Sequence, residues 1–262
     1  MVLDRLFNGG FKMKKRLLIF LTLPLLWSCS MGEEPAVERN EEKQEEKIEE
    51  VELTEEEKMI EKLPDSSTLE DWNLVLVNPD QGLADNFEVN LEEVDNEQRI
   101  DERVVESWTE WREAASEAGH ALFLASAYRD VERQRNNFNR KVNLYLEDGL
   151  SEEEAREKAK EYLTEPGHSE HHTGLALDIV DEEWIVAGNG LDTEYENEAS
   201  QNWLIDTMAD YGFILRYPKG KEAITKIEYE PWHFRYVGEE NAAFIVEHDL
   251  ALEEYIGLLK KK

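Results

Sequence analysis

The segment Ser169-Glu170-His171-His172-Thr173-Gly174-Leu175-Ala176-Leu177-Asp178, followed far downstream by Glu230-Pro231-Trp232-His233, concentrates side chains that can bind a metal and use it. A catalytic zinc typically takes three protein ligands and leaves a fourth position for water, whose pKa it lowers to about 7. His171, Asp178 and His233 supply such a set. Glu230 stands three residues before His233, close enough to share its local turn and to take a proton from that water. This combination reads as a hydrolytic site rather than a structural one. Spacing alone balances that reading evenly against a bland one, since a single histidine in a globular chain is more often a surface or core residue, as expected for His120 and His248. Gly174 and Ala176 are small enough to let the backbone pass close to a metal. A nucleophile-based hydrolase is disfavoured, because the only cysteine, Cys29, lies far upstream and no serine stands at a Gly-x-Ser-x-Gly elbow.

Periodicity indicates the elements that must position these residues. Val104, Val105, Trp108, Trp111 and Ala115 follow helical spacing, with Gly119 as the stop. Residues 121–125 form a short apolar strand that delivers Tyr128 and Arg129 at its end. Val131, Gln134, Phe138, Val142 and Tyr145 mark an amphipathic helix over 131–146, ended by Asp148-Gly149. Ser151 with Glu154 makes a capping box for a charged surface helix over 151–163, either a flank of the cleft or a plain connector, broken by Pro166-Gly167. Residues 175–180 read as a core strand, with His171 in its approach and Asp178 inside it. Trp203, Leu204, Thr207, Met208 and Tyr211 suit a helix ending at Gly212. Residues 213–217, 224–229 and 232–237 read as strands whose connections are too short for parallel crossovers, so antiparallel pairing is expected. The fold class is therefore α+β: one domain with a mainly antiparallel sheet flanked by helices. On an extended backbone His171 and His172 point to opposite sides, so only one can ligate; His172 reads either as lining the pocket or as a surface residue, the surface reading being preferred. Trp232 reads most simply as a packing residue, with shaping of the metal pocket as a second role.

Ser-x-His-x-x-Gly-x-Ala-x-Asp followed by Glu-x-Trp-His resembles the signature of the VanY-type D-alanyl-D-alanine carboxypeptidases. The resemblance runs from about Leu74 to the C-terminus and includes Leu76-Val77-Asn78, Ser126-Ala127-Tyr128-Arg129 with Gln134, and Pro166-Gly167-His168-Ser169-Glu170-His171. It continues in Tyr211-Gly212-Phe213-Ile214-Leu215-Arg216-Tyr217-Pro218 and from Glu230 through Gly238. It implies a Zn2+ peptidase on the same α+β fold, with His171 rather than His172 as ligand beside Asp178 and His233, and with Glu230 as catalytic base. Arg129 is implied at the oxyanion or at the substrate's terminal carboxylate. Gln134 and Ser169 match positions that contact the terminal D-alanine, with Ser126 and Tyr217 as further substrate-binding candidates. The implied substrate is a peptidoglycan stem peptide ending in D-alanine. A D,D-carboxypeptidase cuts the pentapeptide, whereas an L,D-carboxypeptidase removes D-alanine from the tetrapeptide. A non-catalytic wall-binding lipoprotein is the reading of another class, opposed by retention of every ligand and the glutamate. A periplasmic solute-binding lipoprotein would have no reason to carry the metal set.

The N-terminal part reads as an address. Met13-Lys14-Lys15-Arg16 is a basic start, residues 17–27 are an apolar run too short for a comfortable membrane span, and Leu26-Trp27-Ser28-Cys29 ends it like a lipobox. Residues 1–29 are thus expected to be a signal peptide, with Met13 as an alternative start and with Cys29 lipidated and holding the protein to the membrane. Residues 30–63, rich in glutamate, form an expected disordered acidic tether, and residues 64–262 the carboxypeptidase domain. The expected location is extracytoplasmic, facing the cell wall, and the expected state a monomer. A lone cysteine forms no intramolecular disulfide, so stability must come from the core and the metal. The net charge of -32 disfavours nucleic-acid binding, suits a salty or alkaline medium, and falls mostly on the domain rather than the tether.

Overall fold

The computed structural model describes residues 53–262. The expected signal peptide, Cys29 and most of the tether lie outside the described residues. The end of the expected tether does not: Glu55–Lys62 form helix α1, opened by a Thr54–Glu57 capping box. Met59 and Ile60 pack on the domain and Leu63 is buried, so the domain begins before residue 64. Three apolar side chains on one face are enough to dock an otherwise glutamate-rich helix.

A small antiparallel hairpin follows, β1 (Leu91–Glu93) with β2 (Arg99–Asp101), turning through Asn96 and Glu97 in left-handed conformation. Helix α2 (Val105–Glu117) comes next, then β3 (Leu122–Ser126), α3 (Val131–Glu147) and α4 (Glu152–Lys160). The chain continues through β4 (Ala176–Asp181), α5 (Glu182–Val186) and α6 (Ala199–Thr207). It closes with β5 (Phe213–Leu215), α7 (Glu222–Thr225), β6 (His233–Tyr236), α8 (Glu239–Glu247) and α9 (Leu252–Leu259). The main sheet has the order β3-β4-β6-β5 and is antiparallel throughout. The α+β expectation holds.

Side chains alternate across this sheet, and the alternation separates packing from chemistry. Leu177, Ile179, Phe213 and Phe234 face α2, where Trp108, Trp111 and Ala115 sit at helical spacing. Trp111 stacks on Phe213 at 4.9 Å and meets Phe234 edge-on at 5.2 Å between ring centroids. The opposite face carries Asp178, His233 and Arg235, with Ile214 packed toward α8 and α9. Helices α3 and α4 make a satellite core of Phe138, Val142, Ala155 and Ala159. The capping box at Ser151 is present, and the loop after α4 turns Tyr162, Leu163 and Thr164 toward the cleft.

One expected strand is absent. Residues 224–229 are not a strand but the end of the short α7, which stops at left-handed Lys226. Thr225 closes the turn locally through its hydroxyl, which donates to the Ile227 carbonyl at 3.1 Å, and Ile227 is buried. Apolar β-branched residues fill a core position here without joining a ladder, a distinction that composition does not carry.

Candidate metal centre

Asp178 on β4 and His233 on β6 are directly opposite in the antiparallel register, so both side chains leave the same face of the sheet. His171 reaches them from a 3-10 turn, Glu170–Thr173, that leads into β4. Gly174 ends this turn at φ +73, and a Cβ there would lie 2.9 Å from the Asp101 backbone nitrogen. Its smallness thus serves the turn and the approach of β2, not passage beside a metal as the sequence suggested. On the other side, a register shift between Leu124 and Ser126 brings Ser126 opposite Asp178, and the chain then runs through Ala127 to Arg129.

The ligand atoms of His171, Asp178 and His233 all lie within 4.8 Å of one another, and all three residues are buried. Asp178 Oδ1 is 3.1 Å from His233 Nδ1, and Asp178 Oδ2 is 3.3 Å from His171 Nε2. The other ring nitrogens are committed elsewhere. His171 Nδ1 is 2.6 Å from the Ala127 carbonyl, which can only accept, so Nδ1 carries the proton and Nε2 presents a lone pair. His233 Nε2 lies 3.4 Å from Glu170 Oε2, which leaves His233 Nδ1 facing Asp178. His171 Nε2 and Asp178 Oδ1 are buried yet have no hydrogen-bond partner of acceptable geometry. Buried lone pairs left unpaired cost free energy, and a divalent cation relieves them. Two imidazoles and one carboxylate, each histidine backed by an acceptor, are the donor chemistry of zinc.

Burial and charge set the protonation of the group. Burial, aided by the positive charge of Arg129, lowers the His171 pKa to about 4, so the ring is a neutral donor. Burial opposes charge on His233 too, but the hydrogen bonds its ring donates to the Asp178 and Glu170 carboxylates outweigh it and raise the pKa to about 9. Asp178 stays ionised well below the carboxylate range despite its burial, held there by His171 and His233. Glu230 goes the other way. Its carboxylate, 3.4 Å from His233 Nδ1, is raised to about 8 by burial, with His233 opposing and Asp178 reinforcing the rise.

Arg129 lines the same cleft, with its Nε buried and unpaired and its charge facing Asp178 and Glu230. Ser169 and Tyr217 also line it, the Tyr217 ring lying 4.7 Å from that of His233. Gln134 and Ser126 do not. Gln134 is fully buried behind the wall, where its Nε2 donates to the Thr164 carbonyl at 2.7 Å, and Ser126 Oγ is buried without a partner. Trp232 both packs on Val180 and Tyr195 and lines the cleft.

His172 corrects the expectation of a surface residue. The backbone at this point is a 3-10 turn, not extended, and His172 is buried. Its Nδ1 donates to the Arg129 carbonyl at 2.6 Å, and its Nε2 accepts from the Gly167 N–H at 3.1 Å. His172 therefore ties the loop before the metal turn to the backbone that carries Arg129. Sequence reasoning also passed over Glu170, Arg216 and Arg235, although all three lie in the quoted motifs and Arg235 shares the period-two face of His233.

Comparison with known proteins agrees with this geometry. Residues 97–239 match the family model VanY, D-alanyl-D-alanine carboxypeptidase. A D-alanyl-D-alanine carboxypeptidase of Enterococcus faecalis (strain ATCC 700802 / V583) is 36% identical over 191 residues, covering 73% of this chain and 68% of the relative. The crystal structure of a mutant vancomycin-resistance D,D-pentapeptidase VanY, in complex with Zn(II), aligns at TM-score 0.65 and 36% identity. That alignment covers 71% of this chain and 99% of the other. The LdcB LD-carboxypeptidase aligns at TM-score 0.59 and 37% identity over 71% of this chain and 86% of its own. With a matching family model over more than half its length and the metal donors in place, the chain belongs to the VanY family of D-alanyl-D-alanine carboxypeptidases.

Proposed function

We propose that this protein is a zinc-dependent D,D-carboxypeptidase that removes the terminal D-alanine from peptidoglycan stem peptides. The observation that carries the reading is the placement of Glu230 and Arg129 in one cleft with the complete donor set of His171, Asp178 and His233. Bound zinc supplies a Lewis acid that polarises a carbonyl and makes water acidic. Glu230, with a pKa near 8 before metal adds its own field, is matched to accepting a proton from the attacking water and returning it to the leaving amine. The Arg129 guanidinium, a planar fork short of one partner, forks onto the developing oxyanion or the substrate's terminal carboxylate. In this reading Ser169 and Tyr217, which line the cleft, contact the terminal residue, while Gln134 is buried behind the wall on the Thr164 carbonyl and makes no such contact.

The pentapeptide reading is supported by the D-alanyl-D-alanine carboxypeptidase name of the Enterococcus faecalis relative and the D,D-pentapeptidase among the structures. The LdcB likeness, of nearly equal identity, supports the second reading, an L,D-carboxypeptidase acting on the tetrapeptide. Incubation of the purified domain with defined pentapeptide and tetrapeptide muropeptides separates them: D-alanine from the pentapeptide alone supports D,D cleavage, and from the tetrapeptide alone overturns it. We further propose that lipidated Cys29 anchors the enzyme outside the membrane as a monomer, with the acidic tract as its tether. Cys29→Ala should move the protein from the membrane fraction to the medium, and retention in the membrane fraction would count against the anchor.

A further inference from the structure

We propose that Glu170 is a positioning residue that fixes the metal-binding nitrogen of His233, and that Arg216 and Glu253 extend this support to the C-terminal helix α9. The inference rests on the metal reading of the site.

Glu170 is buried and uses its two oxygens on different tasks. Oε2 faces His233 Nε2 at 3.4 Å, while Oε1 accepts from Arg216 Nε at 2.7 Å and from Arg235 Nη1 at 2.6 Å. A carboxylate behind Nε2 selects the tautomer whose Nδ1 lone pair points at Asp178, and it limits rotation of the ring. Both arginines are themselves fully buried, and each is tied to a segment beyond the sheet. Arg216 forks onto Glu253 of α9, Nη1 to Oε2 at 3.0 Å and Nη2 to Oε1 at 2.6 Å. Arg235 Nη2 donates to the carbonyls of Asn73 and Val75 at 3.0 and 2.8 Å, and Asn78 Nδ2 donates to Glu253 at 3.0 Å.

A network of two buried arginines, a buried glutamate and the half-buried Glu253 contributes little as fold stabilisation, because desolvation offsets most of the attraction and apolar residues of equal volume often do as well. Its position directly behind a metal ligand gives it a purpose that apolar residues cannot serve. Glu253, Asn73, Val75 and Asn78 all fall outside residues 97–239, so the segments flanking the matched family region brace the metal centre from both ends of the domain.

The test is zinc affinity, measured by chelator competition on wild type, Glu170→Gln and Glu253→Gln, together with the visible spectrum of the cobalt(II) forms and the melting temperature of the metal-free forms. Glu170→Gln should weaken zinc binding by about 10- to 100-fold, the usual effect of removing a carboxylate behind a ligating histidine. Glu253→Gln should weaken it less, in the same direction, and both cobalt spectra should shift. Lower melting temperatures with wild-type zinc affinity and unchanged cobalt spectra would show a merely structural role and overturn the proposal. Should Glu170→Gln not fold, Glu253→Gln and the zinc-loaded wild type decide, since NMR must find the His233 ring proton on Nε2; a proton on Nδ1 overturns the proposal. Wild type that takes up no zinc would instead overturn the metal reading itself, and this inference with it.

Discussion

Asp178 and His233 are cross-strand partners on the central strands β4 and β6, with Asp178 Oδ1 3.1 Å from His233 Nδ1. Two metal donors are thus fixed by sheet register, the least adjustable feature of the fold, and only His171 arrives from a turn. A one-residue slip of β6 would send His233 into the α2 core and Phe234 into the cleft.

His171→Ala and His233→Ala should each abolish stoichiometric zinc binding, since two remaining ligands do not make a zinc site. Metal analysis of purified variants after dialysis checks this. Zinc content equal to wild type in either would remove that residue from the ligand set.

Arg129→Lys should be damaging although charge is kept, because an ammonium does not reproduce the planar fork. A fall in kcat with KM unchanged places Arg129 at the oxyanion, whereas a rise in KM as well places it on the terminal carboxylate. Wild-type kinetics would take Arg129 out of the site.

The metal-free protein should lose stability as pH rises from 7 to 9. Glu230, with a folded pKa near 8 against 4.5 unfolded, is protonated longer in the folded state, so its contribution falls as pH climbs toward 8. His233, raised to about 9 from 6.5, contributes stability below 6.5 that is lost as pH passes through 9. The two slopes have the same sign, and His171, lowered to about 4, has finished titrating below this window. Urea unfolding with chelator present should show the decline, and Glu230→Gln should flatten it in part. A midpoint that rises between pH 7 and 9 would contradict the assignment.

Trp111→Ala should destabilise the domain by about 3–5 kcal/mol, the range for truncating a large buried aromatic side chain. Trp111 is fully buried, touches Phe213 and Phe234, and donates its indole N–H to Thr207 at 2.9 Å. Denaturant melts of the variant give the number, and a loss below 1 kcal/mol would mean the α2 face of the sheet is not the main core.

What was legible in the sequence follows from how local each signal is. Helix α2, strand β3 and the α4 capping box rest on spacing within a few residues, and all three are present. For the candidate donors His171, Asp178 and His233, residue type and spacing left a metal site and a bland reading evenly balanced, and it was the family resemblance that selected His171 over His172; the structure brings the three together. Residues 224–229 misled because β-branched composition says nothing about whether a neighbouring strand offers a ladder. His172 misled because its burial depends on the 3-10 turn and on Gly167 and Arg129, contacts that spacing does not encode. The docked helix α1 was hidden for a related reason: its glutamates dominate the composition, while Met59, Ile60 and Leu63 acquire meaning only against α8 and α9.

The central claim is tested most directly by D-alanine release from a pentapeptide muropeptide, comparing zinc-loaded wild type, chelator-treated wild type and zinc-loaded Glu230→Gln. Wild type should release D-alanine, chelator should stop it, and Glu230→Gln should bind zinc yet turn over at least ~100-fold more slowly, the lower end for loss of a general base. Undiminished release from the chelated enzyme, or near-normal turnover by zinc-loaded Glu230→Gln, would contradict it.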